Sequence, residues 1–472
     1  MKIVLRVRIG QNLLHEKGDA MKRKLYDALL RWKQTSHGRT AFLIQGAPRS
    51  GKSHMAEEFA KNEYKSYIRI DFTSAPQMLK DMFLYDLDDL DTLFMKLEVL
   101  YHKKLHRRNS LIILDEVQFF PQIRNAVDAL VADRRYDYIE TGALLGIRDS
   151  LKEVQLPVHV ERFCLYPLDF EEFLWATGHE KLVASIRRSF EERKPMGRTL
   201  HRRAMDALRQ YVIVGGMPEA VAEFARSGNF AAVDRVKRDI LQFYRDGIEK
   251  YARSQERERI QMVFDSLPVQ FRNRNMHFKF SVLRPGGRFT EFESPLLWLE
   301  EAMVIHCCFR STEDVFELES PPERTVMKCY AADTGLLVSQ IWSAKEMEKE
   351  EVVAQLLFGD LEKEMGMLLE NVVAQMLASS GHMLRFYATV DRHDRMNRME
   401  LDFLLAEERM GVSNRLIPVK VKSGMHYKRS DLRKFIGKYR DRVDVAYDLH
   451  ANDLKVGEGG IVYLPLYMAM LI

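Results

Sequence analysis

The sequence has few cysteines, no marked excess of one charge and no long apolar run. Four cysteines in 472 residues exclude a disulfide-bonded scaffold and are typical of a protein from the reducing cytoplasm. Lys and Arg number 72 against 68 Asp and Glu; this net charge of +4 excludes a strongly basic nucleic-acid coat but not a local basic patch. The longest apolar stretch, residues 461–472, is interrupted by Pro465 and is shorter than the ~20 residues of a spanning helix, so we expect no membrane attachment.

The composition is that of a folded chain with more than one core. Hydrophobic residues make up 46% and charged residues 30%, which excludes global disorder. The length predicts about three domains. Residues 1–10 (MKIVLRVRIG) alternate apolar and basic side chains without a signal-peptide core, so we predict a short N-terminal arm over residues 1–20, with Met21 as an alternative start.

The first third of the chain alternates apolar runs with amphipathic segments. Four strands are predicted, at residues 40–45, 67–72, 111–115 and 136–141. A helix is predicted over residues 53–62, directly after the first strand. Strands that alternate with helices predict an α/β fold with a mostly parallel sheet covered on both faces.

The chain changes character after Pro167. Residues 168–260 are predicted to be mostly helical, with a break at Gly215-Gly216. Residues 278–293 look β-like around a Pro-Gly-Gly turn, and a hairpin beside helices fits a winged-helix type of module. The acidic residues 344–360 are the predicted linker, and a helix at 361–380 and strands at 400–405 and 416–421 follow it.

The loop after the first predicted strand matches the phosphate-binding pattern G-x-x-x-x-G-K-[ST] in full. We expect the nucleotide to contact Gly46, Ala47, Pro48, Arg49, Ser50, Gly51, Lys52, Ser53 and His54. The glycines let backbone N–H groups face the phosphates, and the helix N-terminus adds a positive partial charge. Lys52 would reach the β- and γ-phosphates of ATP, and the Ser53 hydroxyl would bind Mg²⁺.

Two acids end the third predicted strand, in the run LIILDEVQ. Asp115 is the second predicted Mg²⁺ ligand, and Glu116 is the predicted general base for the attacking water. Thr141, at the end of the fourth strand, either senses the γ-phosphate or caps the following turn. A transition-state arginine has several candidates that one sequence does not separate: Arg49, Arg124, Arg134, Arg135 and Arg162.

These motifs together resemble a family of prokaryotic AAA-like P-loop ATPases with an uncharacterised C-terminal domain. The likeness extends over nearly the whole chain, through GAPRSGKS, YKSYIRIDF, LDEVQ, DYIETGALLGI, YVIVGGMPEAV, KCYAADTGLL, GMLLENVVAQ, MELDFLL and VKVKSG. The resemblance implies an AAA/RecA-like core over residues 21–175, a helical, winged-helix-like region over 176–343, the linker 344–360, and a domain similar to the PD-(D/E)XK nucleases over 361–472.

The resemblance also implies a nuclease-type acid set in the last domain. Glu370, Asp402 and Lys422 match the helix acid, the strand acid and the lysine of that pattern. Lys420 stands where a metal-binding Glu is expected, which disfavours cleavage and suggests phosphate binding instead, although Glu400 shares a strand face with Asp402. The nuclease-like domain is therefore predicted to be degenerate.

The predicted function is Mg²⁺-dependent ATP hydrolysis coupled to conformational change. DNA is a possible partner, partly because residues 102–108 are basic (HKKLHRR). A protein partner is equally open, and a homo-oligomer would supply an arginine in trans. The alternative is a nucleotide-gated switch for DNA or protein with little turnover, and the third possibility is an ATP-dependent nuclease. The His306-Cys307-Cys308 run is predicted to be a buried strand and not a metal site.

Overall fold

The structure is a computed structural model, which describes residues 21–143, 158–270, 277–311, 323–343, 353, 357, 359, 366–389, 398–407, 415–422 and 429–472. The predicted arm 1–20 and most of the predicted linker 344–360 lie outside these residues. The chain divides into two compact units. Among the described residues, the first unit covers 21–166 and 301–303, and the second covers 167–300 and 304–472.

The first unit contains a five-stranded parallel sheet. Its strands are β1 (Ala41–Gly46), β2 (Ser66–Asp71), β3 (Ser110–Asp115), β4 (Asp137–Gly142) and β5 (Val160–Leu165). They lie in the order β2-β3-β4-β1-β5, and every neighbouring pair is parallel. The predicted α/β class and the four predicted strands are confirmed to within a residue or two.

Helices cover both faces of this sheet. They are α1 (Lys24–Ser36), α2 (Lys52–Glu63), α3 (Gln77–Tyr85), α4 (Leu90–Tyr101) and α5 (Ile123–Asp133), with a 3-10 turn at Val117–Phe119. Trp32 and Phe59 belong to the core on one face, and Ile70 and Leu93 to the core on the other. Every residue of β3 is buried because the strand lies between two neighbours and two helical layers.

The second unit begins with helices, as predicted. They are α6 (Phe170–Ala176), α7 (Glu180–Glu192), α8 (Arg198–Val214), α9 (Pro218–Ser227), α10 (Phe230–Tyr251), α11 (Arg257–Gln270), α12 (Phe280–Leu283), α13 (Phe289–Glu301) and α14 (Thr334–Ser343). The Gly-Gly break is confirmed, because α8 ends at Val214 and Gly215 has a φ of 81°.

The predicted hairpin at residues 278–293 is wrong. The Pro-Gly-Gly turn is present, since Gly286 has a φ of 75°, but it joins α12 to α13 and not two strands. Phe280 packs against Phe289 and Phe292, with ring centroids 5.8 and 6.2 Å away. The aromatic spacing that looks β-like in the sequence therefore serves a cluster between two helices.

Two further sheets complete the second unit. The four-stranded sheet has the order β7-β6-β8-β9, from β6 (Ile305–Ser311), β7 (Glu323–Ala331), β8 (Arg385–Thr389) and β9 (Met399–Leu401). The five-stranded sheet has the order β10-β11-β12-β14-β13, from β10 (Phe403–Glu407), β11 (Arg415–Val421), β12 (Ala446–His450), β13 (Lys455–Val456) and β14 (Ile461–Pro465). Among the described residues, this part of the chain also contains α15 (Gly366–Ser379), α16 (Arg429–Lys438) and a 3-10 helix at Leu466–Leu471.

The four-stranded sheet joins chain segments from both sides of the predicted linker. β6 pairs with β7 on one side and runs parallel to β8 on the other. The predicted domain limits at 175/176 and around 344–360 stay predictions. In the structure the chain passes from one compact unit to the other between Tyr166 and Pro167, and one sheet contains residues from before and after the linker.

Candidate functional site

The phosphate-type loop connects β1 to α2, where two glycines are required by geometry. Gly51 precedes the helix with a φ of 95°, a left-handed conformation that favours glycine. A Cβ at Gly46 would lie 2.5 Å from the carbonyl oxygen of Leu165. Arg49 also takes a left-handed conformation, with a φ of 63°. The loop thus turns sharply enough to place the N-terminus of the 12-residue α2 at its open side.

Lys52, the first residue of α2, is held inside this loop. Its side chain is 3% exposed, and Nζ donates to the carbonyl oxygens of Gly46 at 3.1 Å and Ala47 at 3.2 Å. Nζ also lies 3.6 Å from Oε1 of Glu116. The ammonium is therefore fixed between the loop backbone and the acid that follows β3.

The carboxylate of Asp115 is the centre of the site. It is fully buried at the end of β3. Oδ1 accepts hydrogen bonds from the hydroxyl groups of Ser53, at 2.7 Å, and Thr141. Oδ2 accepts from Arg69, with Nε at 2.8 Å and Nη2 at 2.6 Å. The structure thus brings the predicted residues of three separate elements into direct contact.

Glu116 is oriented by its neighbours on two sides. Its backbone is left-handed, with a φ of 56°, and its N–H donates to Oγ1 of Thr141 at 3.0 Å. Oε2 accepts from Nε2 of Gln118, whose Oε1 in turn accepts from the N–H of Ala143 at 3.2 Å. The side chain stays 24% exposed, so it can meet a water molecule.

Sequence reasoning missed Arg69, which lies in β2. Burial alone would lower the pKa of its guanidinium, but Asp115 together with Glu57 and Asp71 outweighs burial and the pKa is raised. Arg69 also lies 4.0 Å from Glu57 and 3.7 Å from Asp71. The only available signal was a charged residue inside the apolar strand YIRIDF, since its partner is set by the pairing of β2 with β3.

The other predicted contacts of the loop differ in exposure. Ala47 and Ser50 are buried, and the buried Oγ of Ser50 has no hydrogen-bond partner in the described part of the chain. Pro48 is half-buried, and Arg49 is exposed. His54 is 72% exposed and lies 3.7 Å from Glu58 on the next turn of α2.

The arginine candidates are separated by their contacts. Arg124 is buried and donates to Glu140 at 3.0 Å, so it serves the core of the first unit. Arg135 pairs with Asp133 at 2.7 Å and with Asp91. Arg134 and Arg162 are exposed, as is Arg49 in the loop.

The nuclease-type acids also meet, in the second unit. Asp402 accepts from Nζ of Lys420 at 3.2 Å and from the N–H of Val421 at 2.8 Å. Lys420 is buried and its ammonium is engaged with Asp402, and the phosphate binding suggested for it stays a prediction. The Glu370 carboxylate accepts a hydrogen bond from Nζ of Lys328 at 2.9 Å. Lys422 follows β11 and is half-buried.

The remaining sequence features carry less chemistry. All four cysteines are free, and His306, Cys307 and Cys308 lie in β6, as the buried-strand interpretation predicts. Within the described ranges, no group of three or more His, Cys, Asp or Glu side chains could hold a metal ion. In the basic run 102–108, Arg108 pairs with Asp137 at 2.8 Å. Of the helices that the structure describes, none is both long and apolar enough to cross a membrane.

Family models match three parts of the chain. Residues 38–174 match an AAA domain. Residues 205–346 and 365–468 match two domains of unknown function (DUF8612 and DUF4143). No curated protein matches the sequence.

Among solved structures, the chain is similar to C. elegans PCH-2, with 13% identity, a TM-score of 0.22, and coverage of 39% of this chain and 51% of that one. It is also similar to a Signal Transduction ATPase with Numerous Domains from Pyrococcus horikoshii that carries a tetratricopeptide repeat sensor (12% identity, TM-score 0.25, 74% and 47% coverage). A third is Cdc6p from Pyrobaculum aerophilum (11% identity, TM-score 0.22, 72% and 96% coverage). The chain thus spans about half the length of the first two. With the loop geometry and the parallel sheet, the match over residues 38–174 identifies an AAA-like, nucleotide-binding P-loop domain.

Proposed function

We propose that the protein is a Mg²⁺-dependent ATPase whose hydrolysis of ATP is coupled to conformational change. The observation that carries this proposal is the contact of Asp115 with Ser53 and Thr141, beside the Lys52–Glu116 pair. These are the groups that phosphoryl transfer to water requires: an anchor for the phosphates, oxygen ligands for the metal and a base for the water.

The donor set fits Mg²⁺. The Ser53 hydroxyl and the Asp115 carboxylate lie 2.7 Å apart, and both are oxygen donors, which Mg²⁺ prefers. Ser53 and Asp115 would hold Mg²⁺, and the chemistry it would supply is neutralisation of the phosphate charge. The loop N–H groups and Lys52 would hold the phosphates. The buried Oγ of Ser50, which has no partner among the described residues, offers one more donor in the loop.

Glu116 is the proposed general base. Its carboxylate is partly exposed and accepts from Gln118, while Thr141 holds the backbone N–H of Glu116. It would orient the water for in-line attack on the γ-phosphate and accept its proton. Lys52 neutralises part of the charge that develops on the phosphate oxygens.

The test is steady-state ATP hydrolysis with and without single- and double-stranded DNA. Glu116→Gln should bind ATP and hydrolyse it about 100-fold or more slowly, because a positioned base contributes about 10²–10⁴ in rate. Lys52→Ala should lose both binding and turnover. Lys61→Ala on the exposed side of α2 is the matched control and should behave as the wild type. Wild-type turnover in Glu116→Gln would refute the assignment of the base.

A second candidate is a nucleotide-gated switch with little turnover, which the Arg69 contact favours. Arg69 donates to Oδ2 of Asp115, so a metal–nucleotide that binds at this carboxylate must compete with an internal cation. Stoichiometric ATP binding with slow hydrolysis, changed by DNA, by a protein partner or by self-association, would favour the switch. Hydrogen exchange of residues 200–340 that ATP leaves unchanged would refute the coupling in both candidates.

A further inference from the structure

Three carboxylates of the second unit converge on one buried lysine. Lys328 comes from β7, and its side chain is 1% exposed. Its Nζ lies 2.9 Å from Oε1 of Glu370, 3.7 Å from Oδ1 of Asp402 and 3.8 Å from Oε1 of Glu400. α15, β9 and the residue after β9 supply these acids, so the lysine is the only group among these four that comes from before the predicted linker.

Other donors surround the same carboxylates. The hydroxyl of Tyr330 donates to Oε1 of Glu370 at 2.6 Å, the oxygen that Lys328 also contacts. Lys420 reaches Oδ1 of Asp402 at 3.2 Å. His277 lies 3.7 Å from Oε1 of Glu400. The facing oxygen of each acid is thus already engaged by a protein cation or a hydroxyl.

A divalent ion does not fit this arrangement. Mg²⁺ or Ca²⁺ needs oxygen ligands at about 2.0–2.6 Å, and it would have to share the Glu370 and Asp402 oxygens with two ammonium groups. Burial by itself would lower the pKa of Lys328, but the three acids outweigh burial and raise it, so the side chain carries its charge at neutral pH. Like charges at such distances in a buried site repel strongly.

We propose that the ammonium of Lys328 is the resident cation of the Glu370–Glu400–Asp402 cluster and that it excludes divalent metal from this site. The resemblance to metal-dependent nucleases implies a metal beside Asp402, and the donor set disagrees with that implication. The cluster instead ties β7 to α15 and to the end of β9. The proposal is independent of ATP hydrolysis in the first unit.

The first test uses the wild-type protein. Fe²⁺ bound at a metal site cleaves the nearby backbone when ascorbate and peroxide are added. With Fe²⁺ and ATP, we expect cleavage near Ser53 and Asp115, which is the positive control, and none near Glu370 or residues 400–402. Cleavage at those acids in the wild type would overturn the proposal.

The second test removes the resident cation. Lys328→Met keeps the length of the side chain and leaves the acids without its charge. We expect this variant to gain one Mn²⁺ site per chain, measured by electron paramagnetic resonance of free Mn²⁺ without nucleotide. Lys328→Arg, which keeps the charge, and Lys328→Met with Asp402→Asn, which removes an acid, should gain none.

The outcomes separate clearly. A folded Lys328→Met variant with no added Mn²⁺ site would contradict the proposal, as would a wild-type Mn²⁺ site that Asp402→Asn abolishes. If Lys328→Met is unfolded by circular dichroism, Mn²⁺ should restore its fold, since the metal would replace the lost charge. If Mn²⁺ does not restore it, the wild-type iron cleavage decides.

Discussion

The guanidinium of Arg69 holds one oxygen of the Asp115 carboxylate, with Nη2 at 2.6 Å and Nε at 2.8 Å. The second oxygen accepts from Ser53 and Thr141. A fully buried carboxylate needs such partners, because an unpaired buried charge is costly. The same arrangement leaves the oxygen next to Ser53 facing the phosphate loop, where a metal ligand is needed. Arg69 therefore fixes the orientation of Asp115 and also competes with Mg²⁺ for its negative charge.

Replacing Arg69 by Met tests this relationship. Without the guanidinium, Asp115 should attract Mg²⁺ more strongly, so half-maximal ATP hydrolysis should need several-fold less Mg²⁺, an effect of the order expected for a nearby charge. The nucleotide-free protein should lose about 1–3 kcal/mol of unfolding free energy, because a buried acceptor loses its donors. Mg²⁺ titration of hydrolysis and denaturant unfolding measure the two effects. Arg31→Met, exposed on α1, is the control; an unchanged Mg²⁺ dependence in Arg69→Met would contradict the assignment.

Thr141 links the two acids of the site, since its hydroxyl donates to Asp115 and accepts from the N–H of Glu116. Thr141→Val has nearly the same shape but neither bond. We expect hydrolysis to fall about 10–100-fold, the usual effect of removing a group that orients a catalytic residue, while ATP affinity changes little. Thr141→Ser should restore turnover. Equal rates for Val and wild type would show that Thr141 is only a structural cap.

The sequence predicts those parts of the molecule whose chemistry is local. The loop from Gly46 to Ser53 and the acids after β3 depend on neighbours in the chain and on strand order, and parallel strands bring their ends together. Arg69 and Lys328 could not be found in this way, because each acts on a carboxylate far along the chain, 46 and 42 residues away. The prediction of a hairpin at residues 278–293 is wrong for a related reason, since the spacing of the aromatic residues reflects the packing of Phe280 between two helices.

At the Gly-Gly break, the backbone of Gly216 packs closely against the backbone of Leu168, and a substitution of Gly216 tests this packing. A Cβ there would lie 2.1 Å from the carbonyl oxygen of Leu168, and the Gly216 N–H donates to Asp333 at 2.6 Å. Gly216→Ala should therefore lower the unfolding free energy by about 2–4 kcal/mol. Gly437→Ala, in α16 with no atom near its Cβ, should be neutral or stabilising by up to about 1 kcal/mol. Equal stability of the two variants in denaturant unfolding would contradict this packing.

The ammonium group of Lys237 is buried, and it donates hydrogen bonds to backbone carbonyl oxygens. From α10, Nζ donates to the carbonyl oxygens of Ile213 at 2.7 Å and Gly335 at 3.0 Å. Burial lowers the pKa of Lys237 to about 8, against partial compensation from Asp234 and Asp333. Its ordinary pKa is 10.5, so protonation differs between the folded and unfolded chains over the interval between these values.

The sign of the resulting pH dependence follows from proton binding. Between pH 8 and 10.5 the unfolded chain keeps the proton on Lys237 while the folded chain has begun to lose it, so the free energy of unfolding rises with pH. From pH 8 to pH 9.5 we expect the wild type to gain about 1–2 kcal/mol relative to Lys237→Met, which has no proton to lose. Denaturant unfolding of both proteins across this range measures the difference. The comparison between the two cancels the tyrosines, which titrate in both. If the free energies of unfolding of the wild type and Lys237→Met change equally with pH, Lys237 is not held in a buried site that disfavours its charge.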